Sequence, residues 1–493
     1  MWARSVVHFE LAILSLTDLS KMIRRGEITS KRLIELHLER ITKVDGREGL
    51  NAYITVMADA ALRQAKELDK LARAKQFRGP LHGMPIAVKD NLDTQGVRTT
   101  GGTKILADWR PQRDAHVIRK LKDAGAIILG KTNMHELAFG VTTNNPHYGP
   151  TRNPYDRLRI PGGSSGGSAA ATAAGLCAAS LGSDTGGSVR IPAALCSLVG
   201  LKPSFGRVGR GGLMHLSFSR DVIGPITRTV VDSALILEAI SGPDPRDPES
   251  ASEPVPHYAA LAKKGTLKGK RFGVPVNYFF DVIHSDTRRV FDNAVREIKK
   301  MGGTVKEVQV KNTDLLKAQI AQVLTECIFL IEDYLKAFDE HAIIDEYLDQ
   351  LGPDLQATLG SQKGLPDSKP VPGYVYVKTM RESRARVIAG FEEAMRGLDA
   401  LLVPTTVMPA PKIGEDAVVD LEGKKLPTIT TLTRNTNPFN VINYPAITIP
   451  AGYSQAGLPI GLQIVVRPWE DEKLLGIAYA FEQGTRVRKP PAL

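Results

Sequence analysis

Between residues 80 and 240 the chain alternates short apolar runs with helical stretches and glycine-rich turns, and this pattern restricts its fold more than any other in the 493 residues. The runs at 85–88, 126–129 and 177–181 have strand length, and a helix is expected over 114–124. Such alternation predicts an α/β layered domain with a twisted central sheet. Strand-like runs return at 398–403, 446–449 and 460–466, the last two joined by a glycine- and proline-containing connection that suggests a hairpin. These close the same sheet, so the expected fold is one large domain over 1–493: a twisted mixed central β-sheet flanked by α-helices.

The signature core at 80–240 has helical neighbours. In the N-terminal segment, 1–79, Thr17 can cap a helix running toward Arg25, and Ser30 can cap another through Leu33, Leu36, Leu38 and Ile41. A strand at 51–57 and an alanine-rich helix follow. A helical insertion is expected over 312–395, interrupted by a proline- and glycine-rich stretch at 352–373 that reads as an exposed loop or a flap over a site. No internal repeat or low-complexity tract breaks the pattern.

Lys and Arg exceed Asp and Glu by 64 − 53 = 11, but the basic residues are scattered rather than gathered into a stripe. That distribution reads as a solvated surface and leads to the expectation of no nucleic acid. Cys177, Cys196 and Cys327 show no CxxC or zinc-type spacing and read as reduced thiols. The apolar run at 11–16 is short for a secretory signal, and no stretch has the length to span a bilayer. A soluble, cytoplasmic protein without membrane contact is expected.

Glycine marks three segments: Gly83-Met84-Pro85-Ile86-Ala87-Val88-Lys89-Asp90, Pro161-Gly162-Gly163-Ser164-Ser165-Gly166-Gly167-Ser168 and Gly182-Ser183-Asp184-Thr185-Gly186-Gly187-Ser188-Val189-Arg190. In the last, Gly186 and Gly187 let the backbone turn with its N–H groups exposed just ahead of the Ser188 hydroxyl, the arrangement acyl transfer needs. A serine nucleophile requires a base, and none of the ten histidines lies in these segments. Lys89 is the remaining candidate, because burial at the end of an apolar run would lower its pKa. The competing reading is a lysine paired with Asp90 at a strand end.

With Gly130-Lys131-Thr132-Asn133-Met134, these segments resemble the amidase signature family from 80 to 240, with weaker echoes at both ends. The resemblance implies Ser188 as nucleophile, Ser164 as a bridging serine after a cis peptide bond, and Lys89 as the ultimate base. It places the oxyanion hole on the N–H groups of Thr185, Gly186, Gly187 and Ser188, with Ser165, Asp184 and Arg190 as supports. For Arg190 a surface salt bridge competes. Ala138, Phe139 and Gly140 would line the substrate pocket, with core packing as the other reading of Phe139. The implied reaction is hydrolysis of a carboxamide, anilide, carbamate or ester through an acyl-enzyme, without metal or cofactor. The expected partner is a small-molecule amide or carbamate, and a homodimer is compatible.

Other readings compete. Gly125 to Thr132 matches the phosphate-binding GxxxxGK[ST] pattern of NTPases, but its four intervening residues are themselves strand-like. Gly162-Gly163-Ser164-Ser165-Gly166 fits the nucleophile elbow of an α/β-hydrolase, which should follow a strand directly. His135-Glu136 begins like HExxH, but Phe139 stands where the second histidine belongs. A protein that only binds is a further reading. Within the family, the alternative is the glutamine-hydrolysing amidotransferase subunit that serves tRNA-bound substrates. The segments 134–140 and 435–444 look more like stand-alone amidases, including the aryl- or indole-acetamide type.

Overall fold

Two aspartates remote in the chain reach the starts of the first two helices. In the structure, a computed structural model that describes residues 11–361 and 370–493, the first helix spans Leu16–Arg25 behind a Ser15 cap. Thr17, expected at the cap, sits in the first turn and donates its hydroxyl to Asp232 at 2.7 Å, while the Leu16 and Thr17 amides donate to the same carboxylate. The second helix, Ser30–Val44, starts behind Thr29, and the Ser30 amide donates to Asp69 at 2.7 Å. The caps are Ser15 and Thr29 rather than the expected Thr17 and Ser30: their hydroxyls accept the Asp18 and Arg32 amides, while Asp232 and Asp69 take further first-turn amides. Residues 1–10 of the expected N-terminal segment lie outside the described residues.

The strands in chain order are β1 (Tyr53–Val56), β2 (Pro85–Lys89), β3 (Ile127–Thr132), β4 (Asn144–Asn145), β5 (Gly149–Pro150), β6 (Ala179–Asp184), β7 (Val199–Lys202), β8 (Val222–Thr227), β9 (Arg271–Pro275), β10 (Thr304–Val308), β11 (Ala400–Pro404), β12 (Val418–Leu421), β13 (Lys424–Pro427), β14 (Ala446–Tyr453) and β15 (Pro459–Val465). Eleven of them form one sheet in the order β1-β3-β2-β6-β8-β7-β14-β15-β11-β9-β10. The sheet is mixed: β2 runs parallel to both β3 and β6, whereas β8 pairs antiparallel with β6. The expected hairpin is β14 and β15, paired antiparallel. The predicted single-domain α/β fold is therefore the observed one.

Every residue of β2 is buried, because helices cover both faces of the sheet. Ile86 and Val88 join one core with Leu181 and Leu237, and Ala87 joins the opposite core with Ala170 and Ala171. The two-residue period of a strand then turns Lys89 to the Ala87 side. The helix Gly166–Ala173 lies on that side and comes very close, since a Cβ on Gly167 would stand 2.3 Å from the Asn133 carbonyl oxygen. Ser164 precedes this helix, so strand parity and small side chains bring lysine and serine together.

The segment 312–395 holds helices at Ile320–Leu335, Pro353–Gly360, Gly373–Lys378 and Arg384–Ala394. The stretch expected as a loop or flap is thus partly helical. Gly352 caps a helix with Pro353 in its first turn, where proline's missing N–H costs nothing. The rest of the expected flap, 362–369, lies outside the described residues. Val323, Cys327, Ile331 and Leu355 build a separate core with Leu106, Leu137 and Met214 of the signature region. The cysteines are buried and unbridged. No helix among the described residues is long and apolar enough to cross a membrane.

Candidate active site

At the end of β2, beside its parallel neighbour β6, the fully buried Lys89 places Nζ 2.7 Å from Ser164 Oγ and 2.8 Å from Ser183 Oγ. Burial pulls its pKa down to about 7, against the upward pull of Asp221 and Asp184. A neutral amine has two N–H groups and one lone pair. Asn91 donates to Ser183 Oγ at 3.0 Å, so that oxygen accepts from both Asn91 and Lys89 and leaves the amine lone pair for the Ser164 hydroxyl. Ser183 lies inside the third glycine-marked segment, where nothing local assigns it a role. Its importance follows from β2 and β6 ending together.

The reading that paired Lys89 with Asp90 fails, because Asp90 faces another lysine. Lys131 Nζ lies 3.5 Å from Asp90 and donates to the Leu92 carbonyl and the Thr99 hydroxyl at 2.6 and 2.7 Å. The same contacts remove Lys131 from any phosphate loop, as Gly130, Lys131 and Thr132 lie within β3. Lys202, also fully buried, donates to the Tyr444 carbonyl at 2.9 Å. Of these three buried lysines, Lys89 is the one set against serine hydroxyls.

The peptide bond from Gly163 to Ser164 is cis. No strand leads into Ser164, so the nucleophile-elbow arrangement is absent. Ser165 ties this turn to its surroundings: its amide donates to the Ser188 carbonyl and its hydroxyl to the Ser183 carbonyl, both at 3.3 Å. The backbone of Ser188 therefore packs directly against the residue after Ser164. Ser188 itself is 7% exposed at the start of a tight turn into the helix Arg190–Leu195.

Asp184 shapes that turn. Its carboxylate accepts the Gly187 amide at 2.9 Å and the Val189 amide at 3.2 Å. Gly187, expected among the oxyanion donors, thus has its N–H spent on a carboxylate, a stronger acceptor at the same corner. Among the described residues no hydrogen bond engages the N–H groups of Thr185, Gly186 or Ser188. Gly187 has φ +129°, and a Cβ there would stand 2.2 Å from Thr436 Oγ1. The Thr436 hydroxyl in turn donates to the Gly186 carbonyl at 2.6 Å.

Arg190 is no surface ion pair. Its guanidinium meets Asp184 through two bonds, Nε to Oδ2 at 3.0 Å and Nη2 to Oδ1 at 2.9 Å, with both side chains fully buried. Burial alone would push the Asp184 carboxyl up, but Arg190 and Asn440 hold it down at about 2. Arg190 also donates to Gln463 Oε1 at 2.6 Å and to the Thr436 carbonyl at 3.0 Å. Thr436 and Asn440 fall in the segment 435–444 that the family resemblance singled out, but nothing local gave them or Gln463 a place beside Arg190, and only folding brings them here. Arg190→Met leaves a buried carboxylate uncompensated, and a stability loss of about 3–5 kcal/mol is expected in urea unfolding. An unchanged unfolding midpoint would refute a stabilising role for the pair.

The three residues expected to line a substrate pocket, Ala138, Phe139 and Gly140, lie in a loop with unusual backbone: Leu137 and Ala138 adopt φ of 47° and 61°. A Cβ on Gly140 would stand 2.2 Å from the His135 ring. Phe139 is partly buried against the core that Val323 and Cys327 build, which is the packing reading. His135 Nε2 meets Asp354 Oδ2 at 3.2 Å and the Glu136 carboxylate accepts the Gly352 amide at 2.8 Å, so the insertion is tied onto this loop. Among the described residues no cluster of histidine, cysteine or carboxylate side chains could hold a metal.

Comparison with known proteins extends these observations. The Amidase family profile matches residues 32–475. The glutamyl-tRNA(Gln) amidotransferase subunit of Moorella thermoacetica is 40% identical, covering 98% of this chain and 99% of that protein. The solved structure of the corresponding subunit from Thermotoga maritima superposes with a TM-score of 0.76 at 31% identity, covering 98% of each chain. The peptide amidase of Stenotrophomonas maltophilia gives a TM-score of 0.83 at 33% identity, covering 98% of this chain and 99% of that one. The amidotransferase relatives overturn the expectation of a small-molecule amide or carbamate partner without nucleic acid. Their name includes a tRNA and marks one subunit of an assembly. They also favour the amidotransferase alternative over the stand-alone reading. The stand-alone reading rested on the segments 134–140 and 435–444; the three glycine-marked segments, expected to serve any amide, do not depend on what carries it.

Proposed function

This chain belongs to the amidase signature family, and from that premise we propose that it hydrolyses the carboxamide of glutamine through an acyl-enzyme on Ser188, as the ammonia-releasing subunit of a tRNA-dependent amidotransferase. The observation that carries the chemistry is the contact of 2.7 Å between a fully buried lysine amine and the Ser164 hydroxyl. In the proposed cycle Lys89 takes the Ser164 proton as Ser164 takes that of Ser188. Ser188 Oγ attacks the amide carbon, and the oxygen that becomes negative is met by the N–H groups of Thr185, Gly186 and Ser188. Ser164 then passes a proton to the leaving nitrogen, and ammonia departs. Water then gives a proton through Ser164 to Lys89 as it attacks the acyl-enzyme, and Lys89 hands that proton back through Ser164 to the departing Ser188 Oγ, so the amine is neutral again.

The substrate side of the proposal is supported by the relatives named as glutamyl-tRNA(Gln) amidotransferase subunits, which align with nearly the whole chain. The test is ammonia release from glutamine by the purified protein, supplied with its partner subunits and glutamyl-tRNA(Gln). Lys89 must be neutral to accept a proton, and its pKa is about 7. The expected kcat/KM falls about tenfold per pH unit below that value and is level above it. Rapid hydrolysis of simple aryl amides, with no ammonia from glutamine in any combination, would sink the proposal.

A further inference from the structure

Beyond the lysine and two serines, the site contains a buried anion that the cycle above does not use. We propose that Asp221 is a positioning residue: it clamps Thr185 so that the oxyanion donors stay in place, and its negative charge acts on Lys89. The inference rests on the reading of Ser188, Ser164 and Lys89 given above.

Sheet register brings Asp221 to the site. β8 pairs antiparallel with β6, Asp184 opposite Val222, so the next residues outward, Thr185 and Asp221, face each other just beyond the ladder. The Thr185 hydroxyl donates to Asp221 Oδ1 at 2.5 Å. Oδ2 accepts the Leu216 amide at 2.8 Å and the Ser217 amide at 2.9 Å, and lies 3.2 Å from His215 Nδ1. An ionised carboxylate, which only accepts, suits all four contacts. Asp221 is 1% exposed, so its charge is weakly screened.

Among the described residues, the charged groups around Asp221 include Glu326 of the helix Ile320–Leu335, whose carboxylate accepts the Ser217 and Ser219 hydroxyls on the Asp221 loop. On that loop stand His215, Arg220 and Arg210, the last paired with Asp247 and donating to the Asp221 carbonyl at 3.3 Å. From β6 comes Asp184, already compensated by Arg190, and from β2 comes Lys89. β2, β6 and β8 are neighbours in the sheet, so Lys89 at the end of β2 and Asp221 just before β8 flank the end of β6, and Asp221 is the foremost charge raising the buried amine's pKa against burial. Without it the amine would stay neutral to lower pH. Thr185, one of three residues with an unengaged amide at the turn, would lose its side-chain anchor.

The test uses the rate at which an alkyl fluorophosphonate modifies Ser188, followed by mass spectrometry across pH, which needs no knowledge of the natural substrate. Asp221→Asn is expected to move the acid limb of that rate down by about one pH unit. Thr185→Val keeps the charge, so its limb should stay in place while the rate falls about 100-fold. Thr185→Ser, which restores the hydroxyl, should recover most of the loss. An unmoved acid limb in Asp221→Asn, or a Thr185→Val protein as fast as wild type, overturns the inference. The Thr185 pair decides the clamp even if Asp221→Asn fails to fold. A wild-type protein whose Ser188 is never modified would instead overturn the assignment of the nucleophile.

Discussion

Ser188→Ala is expected to lower kcat for amide hydrolysis by on the order of 10⁴–10⁶-fold, the range seen when a serine hydrolase loses its nucleophile. The chemistry leaves no substitute. Ser164 has its hydroxyl on Lys89, and no strand and turn project it as a nucleophile elbow would. Stability should change little, because among the described residues the Ser188 hydroxyl makes no hydrogen bond and its loss leaves no partner stranded. Single-turnover assays of variant and wild type, with melting curves of both, make the measurement. Retention of even a tenth of the wild-type rate would mean that another residue attacks the substrate.

Lys89→Met should cost about 10²–10⁴-fold in kcat/KM, the usual worth of a positioned general base. Methionine approximates the volume of the lysine stem, so the cores on both sides of β2 stay filled. The hydroxyls of Ser164 and Ser183 lose an amine partner, and Ser164 loses the lone pair that takes its proton. The pH profile separates this loss from mere disorder. The wild-type rate should fall below about pH 7, where Lys89 becomes protonated, whereas the residual rate of the variant should lack that limb. A variant that keeps the wild-type limb would assign the titration to another group.

Lys202 shows why geometry matters here more than basicity. Burial brings it to about 7 as well, yet its amine faces a backbone carbonyl and has no hydroxyl to deprotonate. A buried lysine with a lowered pKa is therefore not enough. What distinguishes Lys89 is the pair of serine oxygens brought to it by the ends of β2 and β6 and by the turn before the helix Gly166–Ala173.

Local pattern alone was enough for the layered α/β domain, the hairpin of β14 and β15 and the three glycine-marked segments, because strand length, turn residues and apolar period are written in neighbouring residues. It was enough for Ser188 and Lys89 as candidates, whereas Ser164 as the bridging serine came from the family resemblance. The tertiary structure decided the rest. Asp232 and Asp69 took amides at the starts of the first helices beside the Ser15 and Thr29 caps, and Asp184 accepted the Gly187 amide that had been expected among the oxyanion donors. Lys131 claimed Asp90, freeing Lys89 from that pairing. Asp221, Thr436, Asn440 and Gln463 entered the site through contacts that no local pattern announced. The physical reason is the range of the forces. Backbone preference and hydrophobic period act between neighbours in the chain, whereas a carboxylate chooses its hydrogen-bond donors among whatever the packed sheet brings within about 3 Å of it.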